Sequence, residues 1–190
     1  MIDIQTGLMQ LVRDYPVDEF KNNILALADI GELFNLPVIL TTSFETGPNG
    51  PLLPELKKKY PRAPYIPRPG QVNAWDNPDF VNAVKKTARK KLIMAGIVTD
   101  ICVTFPAISA LSEGYSVYVV VDASGTMNTA VRDAALIRMA NAGAILTNWF
   151  SLAAELQRDW RLHDEGKGLK KLLQAHLVPY ENLINSHESK

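Results

Sequence analysis

The 190-residue chain balances 20 basic against 20 acidic residues, and 47% of its residues are hydrophobic, which suits one globular domain with a substantial core over residues 1–190. Zero formal net charge, with no basic block longer than three residues, argues against nucleic acid and anionic membrane as partners. A lone cysteine excludes an internal disulfide, no apolar run reaches about 18 residues, and the amino terminus has no basic-then-apolar signal, so a cytoplasmic protein is expected.

Near the start, Asp3 in Ile2-Asp3-Ile4-Gln5-Thr6-Gly7 follows what reads as the end of an apolar strand and precedes a turn glycine. Helical spacing of Phe20, Ile24, Leu27 and Phe34 predicts an amphipathic helix, and Pro37 to Thr42 reads as a buried strand. Seven of the twelve prolines fall between Pro48 and Pro69. Because proline fixes φ and breaks regular ladders, this stretch is a stiff excursion with a short helix over Glu55 to Lys59; it serves either as a rigid surface loop or as a wall of a pocket or subunit contact. Arg68 ends the short extended run that starts at Tyr65. Asn77 followed by Pro78 is a helix start, continued by Phe80, Val84 and Ala88. Lys91 to Ile97 and Tyr115 to Val121 read as two more buried strands, and Val131, Ala135, Met139 and Ala142 keep helical spacing. Asp122, after the last of these strands, suits a turn or helix cap. Strands apolar on both faces alternating with helices imply an open parallel sheet covered on both sides, with ligands at the carboxyl ends of the strands. Trp149, Phe150 and Trp160, beside Leu152, Leu156, Leu169, Leu172 and Leu173, give the last third more apolar surface than a monomer needs, so a homo-oligomer is expected.

Cys102, the single thiol, sits at the first turn of a helix after the Lys91 strand, where free N–H groups and the helix dipole lower a thiol pKa; it is either a nucleophile or a small buried hydrophobe. Asp3 and Arg68 reach the same sheet edge from separate loops, as base and cation, although each alone also fits a cap or an ion pair. Thr99 fits a helix N-cap. Pro106 lacks the N–H that would pair with the Cys102 carbonyl, which loosens the turn that carries the thiol. Phe44, Asn73 and Trp75 suit an aromatic pocket with a few polar groups, and Trp75 fits core or interface equally. His163, His176 and His187 match no metal spacing and are assigned to surface or interface. No Gly-x-Gly-x-x-Gly follows a strand, which sets aside a dinucleotide-dependent oxidoreductase.

Ile2-Asp3-Ile4-Gln5, Arg68 and Gly96-Ile97-Val98-Thr99-Asp100-Ile101-Cys102-Val103 together resemble the isochorismatase-like cysteine hydrolases. The runs Leu40 to Pro51, Asn73 to Asn77 and Phe105-Pro106-Ala107 are similar to the YcaC-like branch. The resemblance implies a Rossmann-like parallel sheet of order 3-2-1-4-5-6, an Asp–Lys–Cys triad falling on Asp3, Arg68 and Cys102, and a non-proline cis peptide at Val98–Thr99 that aims backbone donors of this region at an oxyanion. Arginine in place of the family lysine keeps a positive charge but cannot shuttle a proton. Gln5 joins Phe44, Asn73 and Trp75 as an expected substrate contact. The expected activity is hydrolysis of a small-molecule amide or related acyl bond, with no cofactor. No metal is expected, because Ser43-Phe44-Glu45-Thr46 has no histidine where nicotinamidase relatives carry an Asp/His site. A self-associated ring, an octamer, is the expected assembly, and a non-catalytic scaffold that keeps the fold is the alternative. In that sheet order the strand ending at Asp3 is central, yet only Met1 and Ile2 precede Asp3. A truncated first strand, with about ten or more residues upstream in the full protein, is therefore expected.

Overall fold

The computed structural model describes residues 1–188. Its elements in chain order are α1 (Val17–Leu33), β1 (Leu40–Ser43), α2 (Pro54–Lys59), β2 (Tyr65–Arg68), α3 (Pro78–Lys86), β3 (Lys91–Met94), α4 (Thr104–Ser112), β4 (Ser116–Val120), α5 (Thr129–Asn141), β5 (Ile145–Thr147), α6 (Trp149–Gln157), α7 (Leu162–Glu165), α8 (Lys167–His176) and α9 (Val178–Glu188).

All strand pairs are parallel, in two sheets, β1–β2 and β3–β4–β5. Between them lies Ile2, which bridges in parallel to Thr41 on one side and to Gly96 on the other. Both junctions are tight. The Ile2 N–H donates to the Ala95 carbonyl at 2.9 Å, and the Asp3 N–H donates to the Thr41 carbonyl at 2.9 Å. A side chain at position 96 would not fit, since a Cβ there would lie 2.0 Å from the Ile2 carbonyl oxygen.

Two apolar layers cover the sheets. On one side Phe20, Ile24, Leu27 and Ile30 of α1 pack with Trp149 and Leu152 of α6 and with Leu169, Leu172 and Leu173 of α8. On the other, Phe80 and Val84 of α3, Ala107 and Ala110 of α4 and Met139 of α5 pack on Val117 and Val119 of β4. The expected spacing of α1 holds, but the helix stops one residue before Phe34, and Asn35 turns the chain at φ 54°, a conformation asparagine tolerates. Asn77 caps α3 by accepting the Phe80 N–H, with Pro78 at the first helical position. The strands are shorter than their apolar runs. β1 begins at Leu40, three residues after Pro37, whose nitrogen has no hydrogen to donate. β5, with only three residues, was too short to signal itself in the sequence.

The carboxyl-terminal third corrects two expectations. Trp149, Leu152, Leu169, Leu172 and Leu173 are buried within the chain, so most of the apolar surplus forms its own core, and among the aromatics named for an interface it is Trp160, 52% exposed, that stays open to solvent. His176 is an internal tie and not a surface residue: its ring nitrogens meet Asp29 Oδ2 at 2.7 Å and Asn22 Oδ1 at 2.9 Å, fastening α8 to α1. Among the described residues no helix is long and apolar enough to cross a membrane.

Candidate active site

Three elements deliver Asp3, Arg68 and Cys102 to the carboxyl edge of the sheets. Asp3 follows the bridging residue Ile2 and takes φ 55°, an uncommon left-handed conformation for a non-glycine residue. Arg68 is the last residue of β2, placed opposite Ser43 of β1. Cys102 lies in a π turn over Thr99–Val103 that leads into α4. In that turn the Val103 N–H reaches back to the Val98 carbonyl at 3.3 Å, five residues away, so the turn carrying the thiol is wider than an α-helical one. Pro106, buried in the first turn of α4, withholds its N–H at this junction, as expected.

Arg68 Nη2 donates to both carboxylate oxygens of Asp3, at 2.8 and 2.7 Å, and both side chains are fully buried. Burial raises the Asp3 carboxyl above its ordinary value, opposed by the Arg68 charge and by a hydrogen bond with the Cys102 thiol. Cys102 runs against the sequence expectation of a lowered pKa. Burial first, then the neighbouring Asp3 charge and the hydrogen bond to it, push the thiol up to about 12, against smaller opposing effects of a Val98 backbone hydrogen bond and Arg68. Helix-start stabilisation amounts to about 1 kcal/mol, and desolvation beside a carboxylate outweighs it. Cys102 is thereby held as the thiol beside Asp3. Arg68 Nε and Nη1 and Thr99 Oγ1 are buried with no hydrogen-bond partner among the described residues.

The cis peptide is at Ile97–Val98, one residue before the expected Val98–Thr99 bond. The Thr99 N–H donates to the Gly125 carbonyl at 3.1 Å, which ties the Val98–Thr99 bond into the continuation of the β3–β4 ladder and takes that N–H away from an oxyanion. Nor is Thr99 an N-cap: its hydroxyl is unpartnered, while its carbonyl accepts from Thr104 Oγ1 at 2.7 Å. Among the described residues, the main-chain bonds that tie this turn to its flanking residues begin at Ile101, Val103 and Thr104.

The expected substrate contacts divide. Phe44 directly follows β1 with its N–H on the Arg68 carbonyl, and its ring, 50% exposed, folds over Gly47 at the site edge. Gln5 is buried with its amide spent on the loop after β1, donating to the Ser43 and Gly50 carbonyls and accepting the Ser43 N–H. Asn73 caps Trp75 and holds Ser109. Trp75 packs on Phe80 and Tyr115, and its indole donates to Glu113 at the end of α4 far from the thiol. The polar groups of Asn73 and Trp75 are thus committed to partners other than Cys102. Glu45 went unnoticed in the sequence: its carboxylate accepts the Tyr65 hydroxyl and the Leu52 N–H, locking the proline-rich loop onto β2. No local pattern marks so distant a pairing.

Known proteins share this fold and much of this sequence. Residues 1–150 match the isochorismatase domain family. The probable hydrolase YcaC of Escherichia coli K12 is 57% identical over 189 residues, which cover 100% of this chain and 90% of that protein. The E. coli crystal structure, an octameric hydrolase of unknown specificity, superposes with a TM-score of 0.95 at 58% identity, covering 98% of this chain and 91% of the other. YcaC from Pseudomonas aeruginosa, solved with hexane-2,5-diol and covalent acrylamide, gives a TM-score of 0.95 at 63% identity and the same coverage.

Proposed function

The chain belongs to the isochorismatase family, in its YcaC branch, and from that premise we propose that residues 1–190 form a single cysteine-dependent hydrolase domain acting on a small-molecule amide or related acyl bond. The observation that carries this reading is the buried contact of Asp3 with both Arg68 and the Cys102 thiol. In the first half-reaction Asp3 accepts the thiol proton as Sγ forms a bond to the carbonyl carbon. The oxygen takes up the electron pair and is held by main-chain N–H groups at the start of the Cys102 turn, in place of the Thr99 N–H. Collapse breaks the C–N bond, and Asp3 returns the proton to the leaving amine. A water then gives a proton to Asp3 as it adds to the thioester, and release of the acid restores the thiol.

Arg68 is a fixed charge in this scheme. It orients the Asp3 carboxylate and offsets its burial, and it transfers no proton. Phe44 is the substrate contact best supported by its position. The covalent acrylamide of the Pseudomonas relative fits the same reading, because acrylamide captures thiols and Cys102 is the one cysteine of this chain. We also read the sheet order as 3-2-1-4-5-6, counting the Ile2 segment as strand one, and the assembly as an octamer like the E. coli relative. Screening the purified protein and Cys102→Ala against a panel of small amides and esters tests the function. Turnover by the wild type that the variant loses is expected. Equal turnover by both would remove the cysteine mechanism, and none by either would favour the scaffold.

A further inference from the structure

The run Asp122-Ala123-Ser124-Gly125-Thr126 follows β4 and passes beside the Cys102 turn. Ile97 and Gly125 bridge in parallel, and the Gly125 carbonyl accepts the Thr99 N–H at 3.1 Å, so Thr126 comes to lie next to the start of that turn. Thr126 is fully buried, and its three polar atoms are engaged in two directions. Toward the turn, its hydroxyl donates to Asp100 Oδ1 at 2.7 Å. Toward the segment that continues from Asp3, its N–H donates to Asp14 Oδ1 at 2.8 Å and its carbonyl accepts the Arg13 N–H at 2.8 Å. Val12 closes the junction, since a Cβ at Gly125 would lie 2.8 Å from Val12 Cγ1. Besides the thiol's own bond to Asp3, the side-chain hydrogen bonds that reach Thr99–Val103 among the described residues come from Thr104, the next residue in the chain, and from Thr126. Thr126 thus supplies the side-chain tie from a separate element.

We propose that Thr126 is a positioning residue for the cysteine reaction: its hydroxyl and main chain clamp the Cys102 turn to the Asp3 segment and so set where thiol and carboxylate meet. The inference rests on the reading that Asp3 and Cys102 act together. Thr126 works through Asp100, two residues before Cys102 in the turn, and a displacement of about 1 Å at a reacting centre can cost on the order of a hundredfold in rate. Without the hydroxyl, the turn is released from the Asp14 side and the thiol is held less firmly against Asp3, whose charge and hydrogen bond keep it protonated. Two effects of opposite sign follow. The thiol gains reactivity toward a small alkylating agent, and it loses the geometry that passes its proton to Asp3 in turnover. A residue that only supported the fold would not move the two rates apart.

The test uses the 190-residue protein and the variants Thr126→Val, Thr126→Ser, Asp100→Ala and Thr126→Val with Asp100→Ala. Alkylation of Cys102 by iodoacetamide, followed by intact mass across neutral to alkaline pH, needs no hydrolase substrate and therefore reads the clamp independently of the proposed activity. Alkylation at pH 7 is expected to be at least threefold faster in Thr126→Val and in Asp100→Ala, with no further gain in the double variant and a return to within twofold of the wild type in Thr126→Ser. On any amide or ester that the wild type turns over, Thr126→Val should lower kcat at least tenfold and leave KM within twofold. Asp100→Ala, at a partly exposed position, carries the test should Thr126→Val fail to fold. Wild-type alkylation in the folded single variants, additive effects in the double variant, or Thr126→Ser behaving as Thr126→Val would overturn the proposal. The expected alkylation pattern beside no turnover by the wild type would support the clamp and count against the hydrolase reading alone.

Discussion

At the level of single residues, Asp3 acts on Cys102 in two opposing ways. Its charge and its hydrogen bond hold the thiol protonated, and in the proposed reaction its carboxylate is the proton acceptor. Asp3→Asn separates the two. With the negative charge gone and Arg68 still in place, the Cys102 pKa falls, so alkylation by iodoacetamide at pH 7 should speed up severalfold while hydrolysis falls by at least a hundredfold. Rates measured side by side on the variant check this; unchanged alkylation would place Asp3 outside the field of the thiol. The sequence indicated which three residues meet, since each ends an extended run or opens a helix. It carries no measure of desolvation at Cys102, because burial depends on elements distant in the chain, so the helix-start signal points to a lowered thiol pKa where burial raises it.

Among the elements, the site depends on how closely the Ile2 segment approaches β3. Gly96→Ala would put a Cβ 2.0 Å from the Ile2 carbonyl oxygen, and backbone cannot yield there without moving Asp3. The expected result is loss of at least a hundredfold in turnover together with a lower Tm, whereas full activity would show that the approach is not needed. A second element junction is sensitive to pH. Asp122, after β4, accepts the Trp149 N–H at the start of α6, and burial pushes its carboxyl up to about 6 from 3.8. A carboxyl with a raised folded pKa binds more protons folded than unfolded, so its contribution is fully present below about pH 4 and is lost as pH rises through about 6. Asp122→Asn keeps the acceptor oxygen and removes this loss, so it should raise Tm more at pH 7.5 than at pH 4 in thermal melts. Asp122 was legible as a cap from its place after an apolar strand. Helix starts marked by Asn77 and Pro78 and the spacing of α1 were equally legible, because these signals are local. The one-residue displacement of the cis bond, the commitment of Gln5 to its loop and the position of Trp75 against Tyr115 all depend on long-range partners that no local pattern specifies.

For the whole molecule, most of the carboxyl-terminal apolar residues cover α1 from within the chain, so self-association rests on what stays open. Trp160, Leu162, Val178 and Leu183 remain exposed along the last helices, and Ile137 and Ile145 beside the edge strand β5. Light scattering at micromolar concentration should give a mass of several chains, eight if the assembly follows the E. coli relative, and a mass of 21.0 kDa would show a monomer. The proposed reaction turns on one bond, between Cys102 Sγ and an acyl carbon. Its most direct test is mass spectrometry of the protein quenched during turnover of an activated ester or amide. One acyl group per chain, mapped to Cys102, is the predicted result; turnover that proceeds with Cys102 unmodified, or with the acyl group on another residue, would contradict it.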